Sequence, residues 1–233
     1  MRNYIYFADK SLNDFDTFIT NAGVYSAPAR NYDSISIAGR SGNLIFDNDK
    51  FDNVEHRYPT AIIKDFNRNF AALKAFLLSK NGYCRLSDTF YPDEFYLATF
   101  KQFEDVKQAF LNGDKGTCVL VFERKPQRFL KSGEKSIAVT NNAQIKNPTQ
   151  FEALPIIHVE GSGTLSINDI EISVDTSKPH LDIDCEMQEV LQTGGNLDLT
   201  LTDGVFPKLE TGLNTITITG FTNVYIIPRW WTI

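Results

Sequence analysis

The chain is poor in the residues that staple, ligate or anchor. Its three cysteines (Cys84, Cys118 and Cys185) form an odd set with no C-x-x-C spacing. A disulfide framework and a cysteine zinc site are therefore excluded from the expected architecture, and reduced thiols are expected. The three histidines (His56, His158 and His180) fall in no H-E-x-x-H or H-x-H pattern, which removes the common zinc spacings. There is no G-x-S-x-G elbow, P-loop or G-x-G-x-x-G turn. No run approaches the ~20 apolar residues of a membrane helix. The opening Met1-Arg2-Asn3-Tyr4-Ile5-Tyr6 carries no signal-peptide core, so the expectation is a soluble protein that starts inside a cell. Excess positive charge is missing too: 23 basic residues face 29 acidic ones, a net of −6. A protein gripping nucleic acid by phosphate neutralisation needs the opposite balance.

What is present is a hydrophobic fraction of 42% over 233 residues, enough for one large domain or two ordinary ones. Charge divides the chain. Through Leu130 there are 17 basic and 16 acidic residues, and beyond it 6 and 13. Lys131–Lys135 and Thr140–Gln144 read as polar linker and loop, and Pro148 and Pro155 bracket the next strong strand. The boundary is expected between 130 and 150, with domains 1–135 and 136–233, and a fragment beginning near Asn147 is expected to fold alone.

The expected fold class is mainly β with one or two helices. Phe66, Phe70, Leu73 and Leu77 mark an apolar helical stripe, with Asp65 as N-cap and Asn81-Gly82 as its stop. A shorter helix is expected over Leu12–Ile19. Tyr83–Ser87, Glu94–Phe103 and Gly116–Arg124 read as strands. Ser34–Ile37 and Asn43–Phe46 flank Gly39-Arg40-Ser41-Gly42 as an extended hairpin. The second half is expected to be an all-β sandwich or jelly roll. Its strands are Leu154–Glu160, Gly163–Ile167, Ile170–Val174, His180–Asp184, Glu189–Leu191, Leu197–Thr202, Asn214–Thr219 and Thr222–Ile227. Asn168-Asp169 supplies a two-residue turn.

Residues that could carry chemistry are few. Asp182-Ile183-Asp184 puts two carboxylates on one strand face ~6.5–7 Å apart, a glycosidase-like separation that a solvated acidic face would also show. Asp47-Asn48-Asp49-Lys50-Phe51-Asp52 begins like a calcium loop and then lacks its ligand and glycine, leaving a polar turn. His158 reads as a satisfied strand histidine, and Cys84 and Cys118 as small hydrophobes. Arg229-Trp230-Trp231 could cap the core, anchor an interface or stack on a ligand.

Four segments, in order, resemble the distal tail (Dit) family of long, non-contractile-tailed bacteriophages. They are Ile35-Ser-Ile-Ala-Gly39-Arg-Ser-Gly42-Asn-Leu44-Ile-Phe-Asp47 with Phe51-Asp-Asn-Val and Tyr58-Pro; Phe122-Glu-Arg-Lys-Pro126-Gln-Arg128-Phe129; Asn147-Pro148 through Gly161-Ser-Gly163; and Leu209-Glu-Thr-Gly212-Leu-Asn214-Thr-Ile216 with Pro228-Arg229-Trp230-Trp231. The resemblance implies a ring-forming N-terminal β domain, hexameric, with a hairpin arm reaching a neighbour, and a galectin-like C-terminal sandwich. It implies a non-enzymatic hub of the tail tip, located in the virion and assembled in the host cytoplasm, without cofactor or metal. Its partners would be copies of itself, the tail tube protein, the tail-associated or tape-measure protein and a receptor-binding protein, with DNA passing unbound and no membrane contact. Gly39, Arg40, Gly42, Leu44 and Phe46 are the candidate inter-subunit contacts. Arg40 at the tip would meet a neighbour's carboxylate or simply be solvated. Arg229, Trp230 and Trp231 are a candidate C-terminal interface. The rival expectations are a carbohydrate-binding host-recognition module and a small cell-wall hydrolase using Asp182 or Asp184.

The charge balance makes one expectation directly measurable. Duplex DNA should bind no better than it does to any acidic protein. An anisotropy titration giving micromolar affinity with a steep salt slope would show a basic channel that the sequence does not suggest.

Overall fold

Antiparallel strands dominate the described residues of this computed structural model, which are 2–21, 26–109, 114–176, 180–191, 197–201 and 204–233. The chain divides into two units, Met1–Arg128 with Ile233, and Phe129–Thr232. The division lies ahead of the expected 135/136.

The first unit contains β1 (Ile5–Phe7), β2 (Lys10–Ser11), β3 (Thr17–Ile19), β4 (Arg30–Ile35), β5 (Leu44–Phe51), β6 (Val54–Ile62), α1 (Phe66–Leu78), β7 (Cys84–Asp88), β8 (Glu94–Gln108) and β9 (Gly116–Arg124). Its sheet runs β2-β1-β7-β8-β9-β6-β3. Along β6, Val54, His56, Tyr58, Thr60 and Ile62 are buried while Glu55 and Arg57 are exposed, the period-2 alternation of a sheet with one covered face. The apolar stripe of α1 joins that core: Phe66, Leu73 and Leu77 pack with Phe7, Leu86, Leu120 and Phe122.

Two expectations here are corrected. Asp65 precedes α1 but caps nothing with its side chain and takes a left-handed φ of 41°. Asp114 does the work instead: its carboxylate accepts the Asp65 N–H at 2.8 Å and its carbonyl the Phe66 N–H at 3.0 Å. The expected helix over Leu12–Ile19 is a single 3₁₀ turn, Leu12–Phe15, followed by β3. Asp16, at φ 50°, ends the turn, and pairing of Thr17–Ile19 with β6 takes the rest into the sheet. Tertiary pairing overrides a short helical pattern that cannot nucleate alone.

The chain leaves the first unit in β10 (Arg128–Leu130). The second unit contains β11 (Ile137–Ala138), β12 (Ala143–Asn147), β13 (Ile156–Glu160), β14 (Gly163–Ile167), β15 (Ile170–Thr176), β16 (His180–Asp184), β17 (Glu189–Leu191), β18 (Leu197–Leu201), β19 (Gly212–Thr219), β20 (Asn223–Ile227) and β21 (Trp231–Thr232). Two five-stranded sheets, β11-β20-β13-β16-β17 and β12-β19-β14-β15-β18, enclose one core in which Ile157, Val159 and Ile183 meet Leu165, Ile172 and Ile216. This is a β-sandwich. Thr202, the expected end of its sixth strand, lies outside the described residues. At the β14–β15 turn Asn168 takes φ 54°, as its short polar side chain permits.

The polar stretches are not linker. Lys131–Glu134 is a 3₁₀ turn in which Gly133 is buried, and a Cβ there would stand 2.3 Å from the Trp230 backbone nitrogen. The Thr140–Gln144 loop runs into β12, which pairs with β19 over five residues. Buried Asn147 then turns the chain, its Oδ1 accepting the Thr149 N–H and hydroxyl, each at 2.9 Å. Buried Asn214 ties three segments together: it accepts from the Glu210 N–H at 2.8 Å and donates to the Glu210 and Ile145 carbonyls.

A fragment beginning at Asn147 would therefore lose β11 and most of β12. The revised expectation is that residues 129–233 unfold cooperatively alone, whereas residues 147–233 do not. Urea denaturation followed by circular dichroism checks both, and equal behaviour of the two fragments would contradict it.

Candidate functional site

The least covered part of the first unit is the β4–β5 hairpin. It forms a two-stranded sheet of its own, paired from Ile35↔Leu44 back to Arg30↔Phe51. Its turn depends on Gly39 and Gly42, at φ 78° and 83°, a region where a Cβ is strained. The Arg40 N–H donates to the Ile37 carbonyl at 3.2 Å. The Arg40 side chain is exposed and has no acidic partner among the described residues. Asn43 fastens the strand ends, donating to the Ser34 hydroxyl at 2.7 Å.

Cross-strand partners share a face of a sheet. One face of the hairpin therefore carries Ile35, Leu44 and Phe46, and the other carries Tyr32 and Ile45. These side chains are 36–54% exposed. The sequence singled out Leu44 and Phe46 and missed Tyr32, Ile35 and Ile45. The signal for the second face was the unbroken run Leu44-Ile45-Phe46, since consecutive apolar residues on a strand must point both ways.

The abortive calcium loop is not a free polar turn. All of it but Asp52 lies inside β5, at a bulge where the register shifts between Asn31 and Tyr32 and Asp49 takes φ 52°. The Asp49 N–H and the Arg30 guanidinium bond to the Asp47 carboxyl and hold it below its ordinary value. Asn31 donates to Asp52 at 2.9 Å. The segment is the hairpin's polar root. Among the described residues no group of three or more His, Cys, Asp or Glu is placed to hold a metal ion.

The C-terminal trio is separated by its own backbone. Arg229, at φ 58°, directs its guanidinium onto Asp184 with bonds of 2.8 and 2.6 Å. Trp230 is core, 4% exposed. Trp231 stacks on Phe151 at 4.4 Å and its Nε1–H donates to the Glu152 carbonyl at 2.8 Å. Asp182 and Asp184 are likewise committed to different partners. Asp182 meets His158 Nδ1 at 2.6 Å, and that ring stacks on His180. The cysteines are free, and burial pushes the Cys185 thiol up to about 12 and the Cys118 thiol upward, which leaves both unreactive at neutral pH.

Burial opposes ionisation of Asp184, but bonds from Arg229 and from the Met187 and Glu186 N–H groups outweigh it, so its pKa lies below 3.8. A carboxylate depressed on folding contributes stability that is complete above its unfolded value and disappears as pH falls through the folded one. Arg229→Ala should cost about 2 kcal/mol at pH 7, less than a fully sealed pair because Arg229 is partly wetted. Urea midpoints should show the gap to wild type closing as pH falls below 3.8. A gap independent of pH would mean that Arg229 acts by packing alone.

The sequence matches no protein-family model and no curated protein. Solved structures match along nearly the whole chain. One is the Dit protein of phage SPP1, described as a paradigm of the hub adsorption apparatus in phages that infect Gram-positive bacteria. It has a TM-score of 0.71 at 13% identity, over 97% of this chain and 98% of that one. A second is from the phage P2 baseplate in its activated conformation with Ca, with a TM-score of 0.56 at 8% identity over 97% and 98%. The same baseplate with Sr gives 0.53 at 8% over 96% and 97%. At these identities the likeness is one of fold, and the chain has the mainly β, Dit-like fold of a phage tail hub protein across both of its units.

Proposed function

We propose that this protein is a structural, non-enzymatic hub of a phage tail tip. Copies of it would close into a ring, a hexamer by the resemblance to the Dit family. The ring would join the tail tube protein above to tail-associated, tape-measure and receptor-binding proteins below, in a virion assembled in the host cytoplasm, and would let DNA pass. The observation that carries this reading is the β4–β5 hairpin, set on a fold shared with a phage hub over 97% of the chain. A two-stranded ribbon is marginal in water, and one with apolar side chains on both faces gains from being covered. A neighbouring copy supplies that cover. Leu44, Phe46 and the Gly39-Arg40-Gly42 tip are the proposed inter-subunit contacts, with Tyr32, Ile35 and Ile45 on the same ribbon.

The C-terminal trio is a weaker contact by its placement. Trp230 is buried and Arg229 is bound to Asp184, leaving Trp231 to reach another molecule. The division of Asp182 and Asp184 between His158 and Arg229 speaks against paired carboxylate catalysis.

Negative-stain electron microscopy of the purified protein should show closed rings, with matching masses by light scattering. Paired Leu44→Asp and Phe46→Asp substitutions should release monomers. Stability should change by no more than about 0.5 kcal/mol, as expected for exposed positions. Monomer at every concentration, with and without the tail tube protein, would overturn the proposal.

A further inference from the structure

A cavity of about 190 Å³ in the first unit has Arg124, His56, Asp88, Tyr91, Tyr96 and Arg128 in its wall. Arg124 ends β9 and is 2% exposed. Its Nη2 donates to the Ser26 carbonyl at 2.8 Å, and the guanidinium lies 4.3 Å from the Tyr96 ring centre. Among the described residues its Nε and Nη1 have no acceptor, and neither ring nitrogen of His56 has a partner. The side-chain carboxylates close by are occupied. Asp88 Oδ1 accepts the Phe90 and Tyr91 N–H groups and Oδ2 the Tyr58 hydroxyl. Glu94 is paired with Arg128, whose Nη1 also reaches the Ile233 carbonyl at 3.4 Å.

An arginine stays ionised in a protein, and burying that charge with open hydrogen-bond valences costs several kcal/mol. A structural arginine at such a depth ordinarily has a carboxylate in contact, and this one has none among the described residues. What would complete it is an acceptor with negative charge. The cavity has room for on the order of six waters, the size of a carboxylate on a short stem, and the rings of Tyr91 and Tyr96 offer that stem apolar walls. Burial, with Arg124 nearby, lowers the His56 pKa to about 4. Its neutral ring therefore keeps one N–H to donate at pH 7. The fixed charge of Asp88 disfavours a doubly charged phosphate and tolerates a single negative charge better.

We propose that this cavity is a carboxylate-binding site with Arg124 as its countercharge. The carboxylate arrives either as a free small acid or as the acidic side chain of a partner polypeptide. The site is independent of the hub reading: it stands or falls on Arg124, whatever the oligomer.

The test is a titration of the whole protein, followed through the Arg124 Nε–H resonance, which is assigned with Arg124→Lys. The probes are sodium propionate and Nα-acetylglutamate amide, against inorganic phosphate and sodium chloride at matched ionic strength. A saturable downfield shift with the carboxylates is expected. The accompanying rise in melting temperature should require roughly tenfold or more carboxylate in Arg124→Met. Equal affinity for both acids assigns a free small carboxylate, and tighter binding of the glutamate analogue assigns a partner's side chain. A wild-type resonance that moves no further with carboxylates than with chloride, or that responds to phosphate alone, would overturn the proposal. The wild-type titration decides this even if Arg124→Met fails to fold.

Discussion

Successive side chains of a strand point to opposite faces, and each part of this protein depends on what becomes of those two faces. In β6 one face lies under α1 and the other carries Glu55 and Arg57 to solvent. There Arg57 meets Glu55 at 2.7 Å and Glu104 at 3.0 Å, and Lys101 meets Glu55 at 2.6 Å. In the sandwich the inward faces of two sheets cover one another. In the β4–β5 hairpin neither face is covered, although both carry exposed apolar side chains. The scaffold satisfies its own burial and leaves one element that does not, and that element is where assembly is proposed.

The two units handle buried polarity differently. In the second, each buried polar side chain that ties loops to the sandwich is fully engaged. Asn214, Asn147 and Asp184 all act by accepting backbone N–H groups that strands leave behind at their ends, the general answer to orphaned donors. In the first, buried Asp88 does the same for the β7 exit, and exposed Asp114 for α1. Arg124 and His56 do not fit that pattern. Satisfied networks make a rigid platform. An unsatisfied charge inside one is a cost that a fold keeps where something outside completes it.

Much of the architecture was legible because strand signals are local. Gly163–Ile167, His180–Asp184, Glu189–Leu191 and Gly116–Arg124 have the bounds expected from their local clusters of β-branched and apolar residues. The α1 stripe was legible for the same reason, as was the hairpin with its Gly39 and Gly42 turn. Elements held by partners rather than by composition were not legible. β12 is polar, yet it pairs with β19 because Ile145 reaches the core. Leu12–Ile19 has helical spacing, yet only one 3₁₀ turn forms and Thr17–Ile19 is taken by β6. Asp65 has an N-cap's identity, yet the cap comes from Asp114, forty-nine residues away.

The candidate sites divide along the same line. The strand-rich composition, the apolar hairpin, the want of cysteine and histidine motif spacings and the acidic second half are set by the sequence alone, because each is a property of neighbours in the chain. Only the tertiary structure decided that Arg229, Trp230 and Trp231 go three separate ways, and that Asp182 and Asp184 serve different partners. It alone placed Arg124 at a cavity wall with no carboxylate in contact with it among the described residues. Those outcomes depend on which distant groups share a buried space, and burial is settled by packing between elements, which no local pattern of residues encodes.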